Sequence, residues 1–370
     1  MAVFPQPLVL PDYGRGAVSD VVPALCARLG VRGAKDVLDL PAGQRWVLLL
    51  IDGLGDELLA EHEEVAPFLA GLRGRTLTAG TPSTTVTSLT SLGTGLAPGA
   101  HGMAGYSFRI DGTDVLNALL WDTPRAATDL QPEPTWFERA RETVAVSSVS
   151  PARFEGSGLT LSALRGADFV GIRDESDTEA WISAVVTASA KGDRSLVYAY
   201  ERALDHVGHG VGVASEDWRG VLAGVDERAA RLRAALPDDV QLLITADHGM
   251  IDVPGRNFVL LEDEGLAADL RCFAGEGRLR HFYTDHVEAV AARWTDRMGD
   301  HAWVRTRDEA IDEGWFGPVA DRVRDRFGDV IVAMRTDWAV MSRTLPRELD
   351  IIGMHGSLTP VEMYVPLLLT

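Results

Sequence analysis

Four short apolar runs punctuate the chain: Trp46–Ile51, Val144–Val149, Leu196–Tyr200 and Val240–Thr245. Runs of this length without polar alternation read as strands buried on both faces of a parallel sheet. Between them lie stretches with helical periodicity. Glu57 to Leu72 puts Leu58, Leu59, Val65, Phe68, Leu69 and Leu72 on one apolar side, and Glu179 to Ala190 behaves similarly. Strand alternating with helix predicts an α/β fold with a mostly parallel central sheet covered on both faces. From about residue 275 the pattern changes. Leu279–Tyr283 and Ala302–Arg305 read as strands flanking a helix-like stretch, His286–Arg297. The expectation is a single domain over residues 1–370 with a small α/β lobe inserted at about 275–335, since no repeat, low-complexity tract or linker interrupts the chain.

Composition narrows the function. The 54 acidic against 35 basic side chains give a net charge of −19, which repels a phosphate backbone and argues against nucleic acid as a partner. A small phosphorylated substrate is still admissible, because bound cations neutralise its charge locally. The two cysteines, Cys26 and Cys272, make neither a disulfide framework nor a thiolate zinc site. No apolar run is long enough to span a membrane and no signal peptide is evident at Met1–Pro11. The expected location is therefore the cytoplasm, with no membrane partner; composition says nothing of oligomeric state.

The chemistry sits at the strand ends, where ligands bind in such sheets. Trp46–Ile51 ends in Asp52. Leu196–Tyr200 is followed by Asp205 and His209, and Val240–Thr245 by Asp247 and His248. Asp205 and His209 are four residues apart, so a helix beginning there presents both to one ion. A fourth element, Gly353-Met354-His355-Gly356, lies near the C-terminus. One Asp at a strand end is ordinarily a helix cap; three separate exits all bearing carboxylate or imidazole are better explained by metal binding. Such ligands suit zinc, with manganese or iron as alternatives. The glycines at 53, 208, 210, 249 and 356 fit tight turns around the site. His62, His101, His206, His281, His286 and His301 lack this context and read as structural or surface residues.

The stretch Thr81–Gly95 is rich in hydroxyl side chains. A helix starting near Thr85 places a hydroxyl where backbone N–H groups and the helix dipole favour an anion. Thr84, Thr85 and Thr87 are equivalent candidates on this ground alone.

Together these residues resemble the nucleotide pyrophosphatase/phosphodiesterase branch of the alkaline phosphatase superfamily, from Trp46 to the end of the chain. The matching features are Asp52-Gly53, Thr85 ten residues before Gly95 of Thr94-Gly95, Asp205 to His209, Asp247-His248-Gly249-Met250 and His355-Gly356. The resemblance implies an alkaline-phosphatase-like three-layer sandwich and two divalent metal ions. Asp205, His209 and His355 would hold one ion; Asp52, Asp247 and His248, with Thr85, would hold the other. It makes Thr85 the nucleophile of a phosphodiesterase or pyrophosphatase working through a phosphothreonine. Two positions depart from the nucleotide-cleaving pattern. Val86 stands where an aromatic residue stacks on the base, and Ser88 stands where an Asn contacts phosphate, which leaves Ser88 as the candidate substrate contact. Tyr106, Trp121 or Phe154 could supply an aromatic wall instead. The alternative on the same scaffold is a phosphomonoesterase or phosphonate hydrolase. The absence of arginine between Arg75 and Arg109 favours the diester.

Overall fold

The computed structural model describes residues 5–263 and 265–370. The apolar runs become the centre of a seven-stranded sheet. Its order is Arg75–Thr78, Tyr364–Leu369, Val240–Thr245, Arg45–Ile51, Ser195–Glu201, Ala145–Pro151 and Asp168–Ile172. All neighbours are parallel except Tyr364–Leu369, which runs against both of its partners. In the Arg45–Ile51 strand every residue after Arg45 is buried. Successive side chains point to opposite faces, so both faces are covered and the architecture is three-layered. Helix Thr178–Ser189 lies against the Ser195–Glu201 strand. Val21–Arg28, Thr85–Thr94, Trp136–Ala140 and Gly158–Ala163 pack among themselves beside the sheet.

The helix expected over Glu57–Leu72 is two helices, Asp56–Glu61 and Pro67–Gly71. Pro67 has no N–H to continue a helix and forces its predecessor out of helical geometry; Ala66 sits at φ −124°, ψ 61°.

A second sheet, entirely antiparallel, runs Leu270–Glu276, Leu279–Thr284, Val330–Met334 and Ala302–Thr306. Helix Val287–Met298 closes it, with Phe282 and Trp294 stacked at 4.7 Å between ring centres. The buried Arg278 guanidinium ties this sheet to the last strand region, donating to both Glu362 carboxylate oxygens at 3.0 and 2.6 Å. Glu362 in turn accepts from Ser357 N. A paired, fully bonded buried charge is tolerated where a lone one is not, and this one fixes the His355 loop from beneath. Among the described residues no helix is long and apolar enough to cross a membrane.

Candidate active site

Three strand exits converge on one spot because their strands are adjacent and parallel. Arg45–Ile51 lies between Ser195–Glu201 and Val240–Thr245, in register Leu50 to Tyr200 and Leu50 to Thr245. Asp52, Asp205 and Asp247 therefore leave the sheet at the same edge. The turn after Asp52 needs glycine. Gly53 has φ +78°, its N–H donates to Asp247 Oδ1 at 3.1 Å, and a Cβ there would lie 3.0 Å from that of Asp205. Gly208 and Gly210 do not form turns: both lie within helix Ala203–Val211. A Cβ on Gly208 would meet Met250 Sδ at 2.5 Å, so its role is close packing. Asp205 and His209 share one face of this helix, His209 Nε2 lying 3.3 Å from Asp205 Oδ1. His355 arrives on the Gly353–Met354 strand, which pairs with Ile251–Asp252. It places Nε2 3.7 Å from the same oxygen.

The three imidazoles are oriented alike. The Nδ1 of His209 faces Gly353 O at 2.7 Å, that of His248 faces Gly249 O at 2.9 Å, and that of His355 faces Ser83 O at 2.9 Å. A carbonyl only accepts, so Nδ1 carries the proton and Nε2 presents a lone pair to the carboxylates. Lone pair facing lone pair is unfavourable unless a cation lies between. Asp205 Oδ1 and Asp247 Oδ2 are buried without a hydrogen-bond donor. Burial, with Asp247 and Asp205 adding, pushes the Asp52 carboxyl well above its ordinary range. Burial, with His248 and His209 adding, pushes His355 well below its own. The donor set thus fits divalent cations. In space the ligand atoms gather as Asp52, Asp247 and His248, and as Asp205, His248 and His355. His248 is common to both groups, and His209 stands outside them beside Asp205, with its Nε2 3.3 Å from Oδ1.

Helix Thr85–Thr94 opens directly onto this cluster. Thr84 precedes it in extended backbone and no side chain caps its first turn, which leaves the leading N–H groups available for an anion. The Thr85 hydroxyl lies 3.3 Å from His248 Nε2 and 3.5 Å from Asp52 Oδ1. Thr87 is buried elsewhere, donating to Met103 O at 3.2 Å. Thr84 stands beside Glu276, so of the three hydroxyls left equivalent by the sequence Thr85 is the one that meets the strand-end acids. Ser88 lies deeper than Thr85. It is fully buried and donates to Asp247 O at 2.7 Å, because one helical turn carries it past the strand ends and under the site. Val86 is likewise buried in the core.

A cavity of about 590 Å³ leads away from Thr85, with Asp205, His209 and His355 at its inner end. Of the aromatic candidates only Tyr106 lines it; Trp121 packs under Gly158 and Phe154 lies against Tyr200. His101 and His281 are core residues. His101 accepts from Met103 N at 3.1 Å, and His281 accepts from Gly328 N at 3.2 Å. Burial lowers them to about 3 and about 4.

Two site residues are not visible in the sequence pattern. The Tyr200 hydroxyl donates to Asp52 Oδ2, which leaves Oδ1 toward Thr85. Its position two residues after Tyr198, on the strand next to Asp52, is the available signal. Glu276 comes from the second sheet and has none. It lines the cavity, accepts from Tyr106 N at 2.8 Å through Oε1 and lies beside the Thr84 hydroxyl. Burial pushes its carboxyl up to about 7. The folded chain then holds a proton that the unfolded chain releases nearer 4.5, so stability is lost as pH rises through about 7. Glu276→Gln should remove that slope. Its melting temperature is expected to match wild type at pH 5 and exceed it at pH 9, by at most about 3 kcal/mol of stability. Parallel melting curves across this range would contradict the assignment.

The sheet order, the strand-end acids and the helix-borne threonine define a protein of the alkaline-phosphatase-like class. The sequence model of the type I phosphodiesterase / nucleotide pyrophosphatase family matches residues 46–358, and the chain belongs to that family. It is 27% identical over 138 residues to ectonucleotide pyrophosphatase/phosphodiesterase family member 7 of Rattus norvegicus, and 26% identical over 138 residues to that of Mus musculus. These matches cover 35% of this chain and 31% of each relative, so the match spans about a third of the length of those relatives. Among solved structures, murine ectonucleotide pyrophosphatase/phosphodiesterase 5 superposes with a TM-score of 0.69 at 17% identity, covering 88% of this chain and 87% of its own. The human protein gives 0.69 at 16% over the same shares. An inactive threonine-to-alanine variant of the murine protein, in complex with AMP, gives 0.69 at 18% over 88% of this chain and 87% of its own. At these identities the likeness shows the fold.

Proposed function

We propose that this chain is a phosphodiesterase or pyrophosphatase that hydrolyses a small phosphodiester or pyrophosphate, with Thr85 as nucleophile. The observation that carries the reading is the Thr85 hydroxyl at an uncapped helix start, within 3.3 Å of His248 Nε2 and 3.5 Å of Asp52 Oδ1. Asp52, Asp247 and His248 would hold one divalent ion near Thr85; Asp205, His209 and His355 would hold the second, with zinc the best fit to the donors. When bound, such ions lower the pKa of a coordinated hydroxyl and neutralise phosphoryl charge. The protein's own residues supply positioning. Tyr200 fixes Asp52, the Nδ1 bonds fix the three imidazoles, and the first turn of helix Thr85–Thr94 receives the phosphoryl oxygens. The bond from Thr85 Oγ to phosphorus forms as the ester bond breaks and the alcohol departs. Water then attacks the phosphothreonine, returning the hydroxyl and releasing the phosphate product. The likeness to a structure holding AMP supports a small phosphorylated substrate. The charge of −19 supports the exclusion of nucleic acid.

A second reading, phosphomonoester hydrolysis, has one observation in its favour: Arg347 lines the same cavity and could pair with a dianion. The deciding experiment compares a bis-nitrophenyl phosphodiester with nitrophenyl phosphate on the zinc-loaded chain. The diester is expected to be cleaved at least about tenfold faster. A tenfold preference for the monoester would install the second reading in its place.

A further inference from the structure

The two acids beside Thr85 are each held through one oxygen and free at the other. Asp247 Oδ1 accepts from Gly53 N and from His248 N, both at 3.1 Å. Its Oδ2 is buried, has no donor among the described residues and lies 3.5 Å from His248 Nε2. Asp52 Oδ2 accepts from the Tyr200 hydroxyl, while Oδ1 lies 3.4 Å from the same imidazole nitrogen and 3.5 Å from Thr85 Oγ. One ligand atom from each of Asp52, Asp247 and His248 lies within 4.8 Å of the other two. With the Thr85 hydroxyl, 3.3 Å from His248 Nε2, the chain brings four donor atoms to this spot. The other oxygen of each acid is engaged elsewhere.

The two restraints differ in origin. On Asp247 both donors are main-chain N–H groups, supplied by the turn itself. On Asp52 the restraint is one side chain. Tyr200 stands on the strand next to Asp52, whose own N–H donates to Glu201 O at 2.9 Å. The Tyr200 ring is stacked on Tyr198 at 6.3 Å between ring centres and packed by Phe154 at 6.2 Å. A phenol so fixed cannot follow the carboxylate if it turns, and it donates a single hydrogen. It therefore engages one oxygen of Asp52 and leaves the other. Divalent ions differ in how many donors they ask for. Zinc is satisfied by four, whereas manganese favours six, largely oxygen. A carboxylate that turns both oxygens inward moves a site toward the larger number.

We infer that Tyr200 is the positioning residue that sets the metal preference of the Thr85 site: by holding Asp52 to one free oxygen it favours zinc over manganese. The inference rests on the two-metal part of the proposed function and names the side chain that tunes it. Tyr200 acts here through Asp52 and not by touching substrate.

The test titrates the chelated full chain with Zn²⁺ and, separately, with Mn²⁺ by calorimetry. It also follows Co²⁺ binding by visible absorption, which strengthens as the coordination number falls. Tyr200→Phe keeps the ring and removes the hydroxyl. Its zinc affinity at one of the bound ions is expected to fall at least about tenfold, the usual effect of losing a hydrogen bond to a metal ligand. Manganese affinity should fall by less than about threefold or rise, so the preference for zinc narrows, and the Co²⁺ absorption should weaken at least about twofold. Tyr198→Phe is the control. The Tyr198 hydroxyl is buried with no hydrogen-bond partner among the described residues, and its loss should leave both readouts at wild-type values. A merely structural tyrosine at 200 would shift the two affinities together and leave the absorption unchanged. A zinc-to-manganese ratio in Tyr200→Phe within about threefold of wild type would overturn the inference and leave the metal site and the phosphodiesterase reading standing. Weak, six-coordinate Co²⁺ absorption in the wild-type chain would overturn it without recourse to a variant. A wild-type chain that binds none of the three ions would end the inference and the two-metal reading together.

Discussion

Replacing Thr85 with alanine is expected to lower diester hydrolysis at least about a thousandfold, or about 4 kcal/mol of barrier, while leaving the fold intact. The two halves of that expectation have separate grounds. Activity depends on an oxygen at the start of helix Thr85–Thr94, where it faces Asp52 and His248, and Thr87 and Ser88 are turned away onto Met103 O and Asp247 O and cannot substitute. Stability does not depend on it, because alanine is the better helix former and the hydroxyl's own hydrogen bonds are long, at 3.5 and 3.3 Å. Thr85→Ser, which keeps the oxygen, should recover a substantial part of the rate, whereas a merely structural threonine would not distinguish serine from alanine in this way. The measurement is kcat/KM on the nitrophenyl diester with a thermal melt of each variant. Alanine activity within threefold of wild type would remove Thr85 from the mechanism. A collapsed melt would instead make the threonine a structural residue.

Much of this site is legible in the sequence because buried parallel strands announce themselves as uninterrupted apolar runs, and their ends are then easy to inspect. Trp46–Ile51 and Val240–Thr245 carry no polar residue except Gln241 and Thr245, so Asp52 and Asp247 stand out beyond them. Strand Arg75–Thr78 offers no such contrast; it is a four-residue edge strand with two exposed positions. The pattern over Glu57–Leu72 misleads because apolar periodicity survives across the break at Ala66-Pro67. The depth of Ser88 is hidden for a related reason: spacing of three along a helix keeps a residue on the same face, yet here that face passes under the strand ends within one turn. Tyr200 and Glu276 show the larger limit. One is recognisable only once Ser195–Glu201 is known to neighbour Arg45–Ile51, and the other only once a distant sheet is folded against Thr84 and Tyr106. Sequence spacing encodes what a single strand end presents; which ends meet is decided by topology.

Chelation should have the second large effect, and its pH dependence reports on the acids themselves. Removing the divalent ions is expected to abolish diester hydrolysis and to lower the melting temperature by roughly 5 °C or more, with both restored by added Zn²⁺. The gap in melting temperature between loaded and chelated protein should widen from pH 5 to pH 8. Without cations, Asp52 is buried beside Asp247 and Asp205, and its carboxyl is held well above the ordinary range. The folded chain then binds a proton that the unfolded chain has lost, so stability of the chelated form falls as pH rises above the usual carboxylate value. Bound cations replace that proton and remove the fall. His355 acts in the opposite direction: its depressed folded pKa lowers stability as pH drops below the usual imidazole value. That loss is common to both forms, since neither the buried metal-free imidazole nor a metal-ligating one accepts a proton, and it cancels in the difference. The widening gap therefore reports the release of protons from the ligand set as the cations bind. A gap that stays constant or narrows with pH would show that the acids are neutralised by something other than divalent ions. More than a tenth of the activity surviving complete chelation would take the metals out of the reaction.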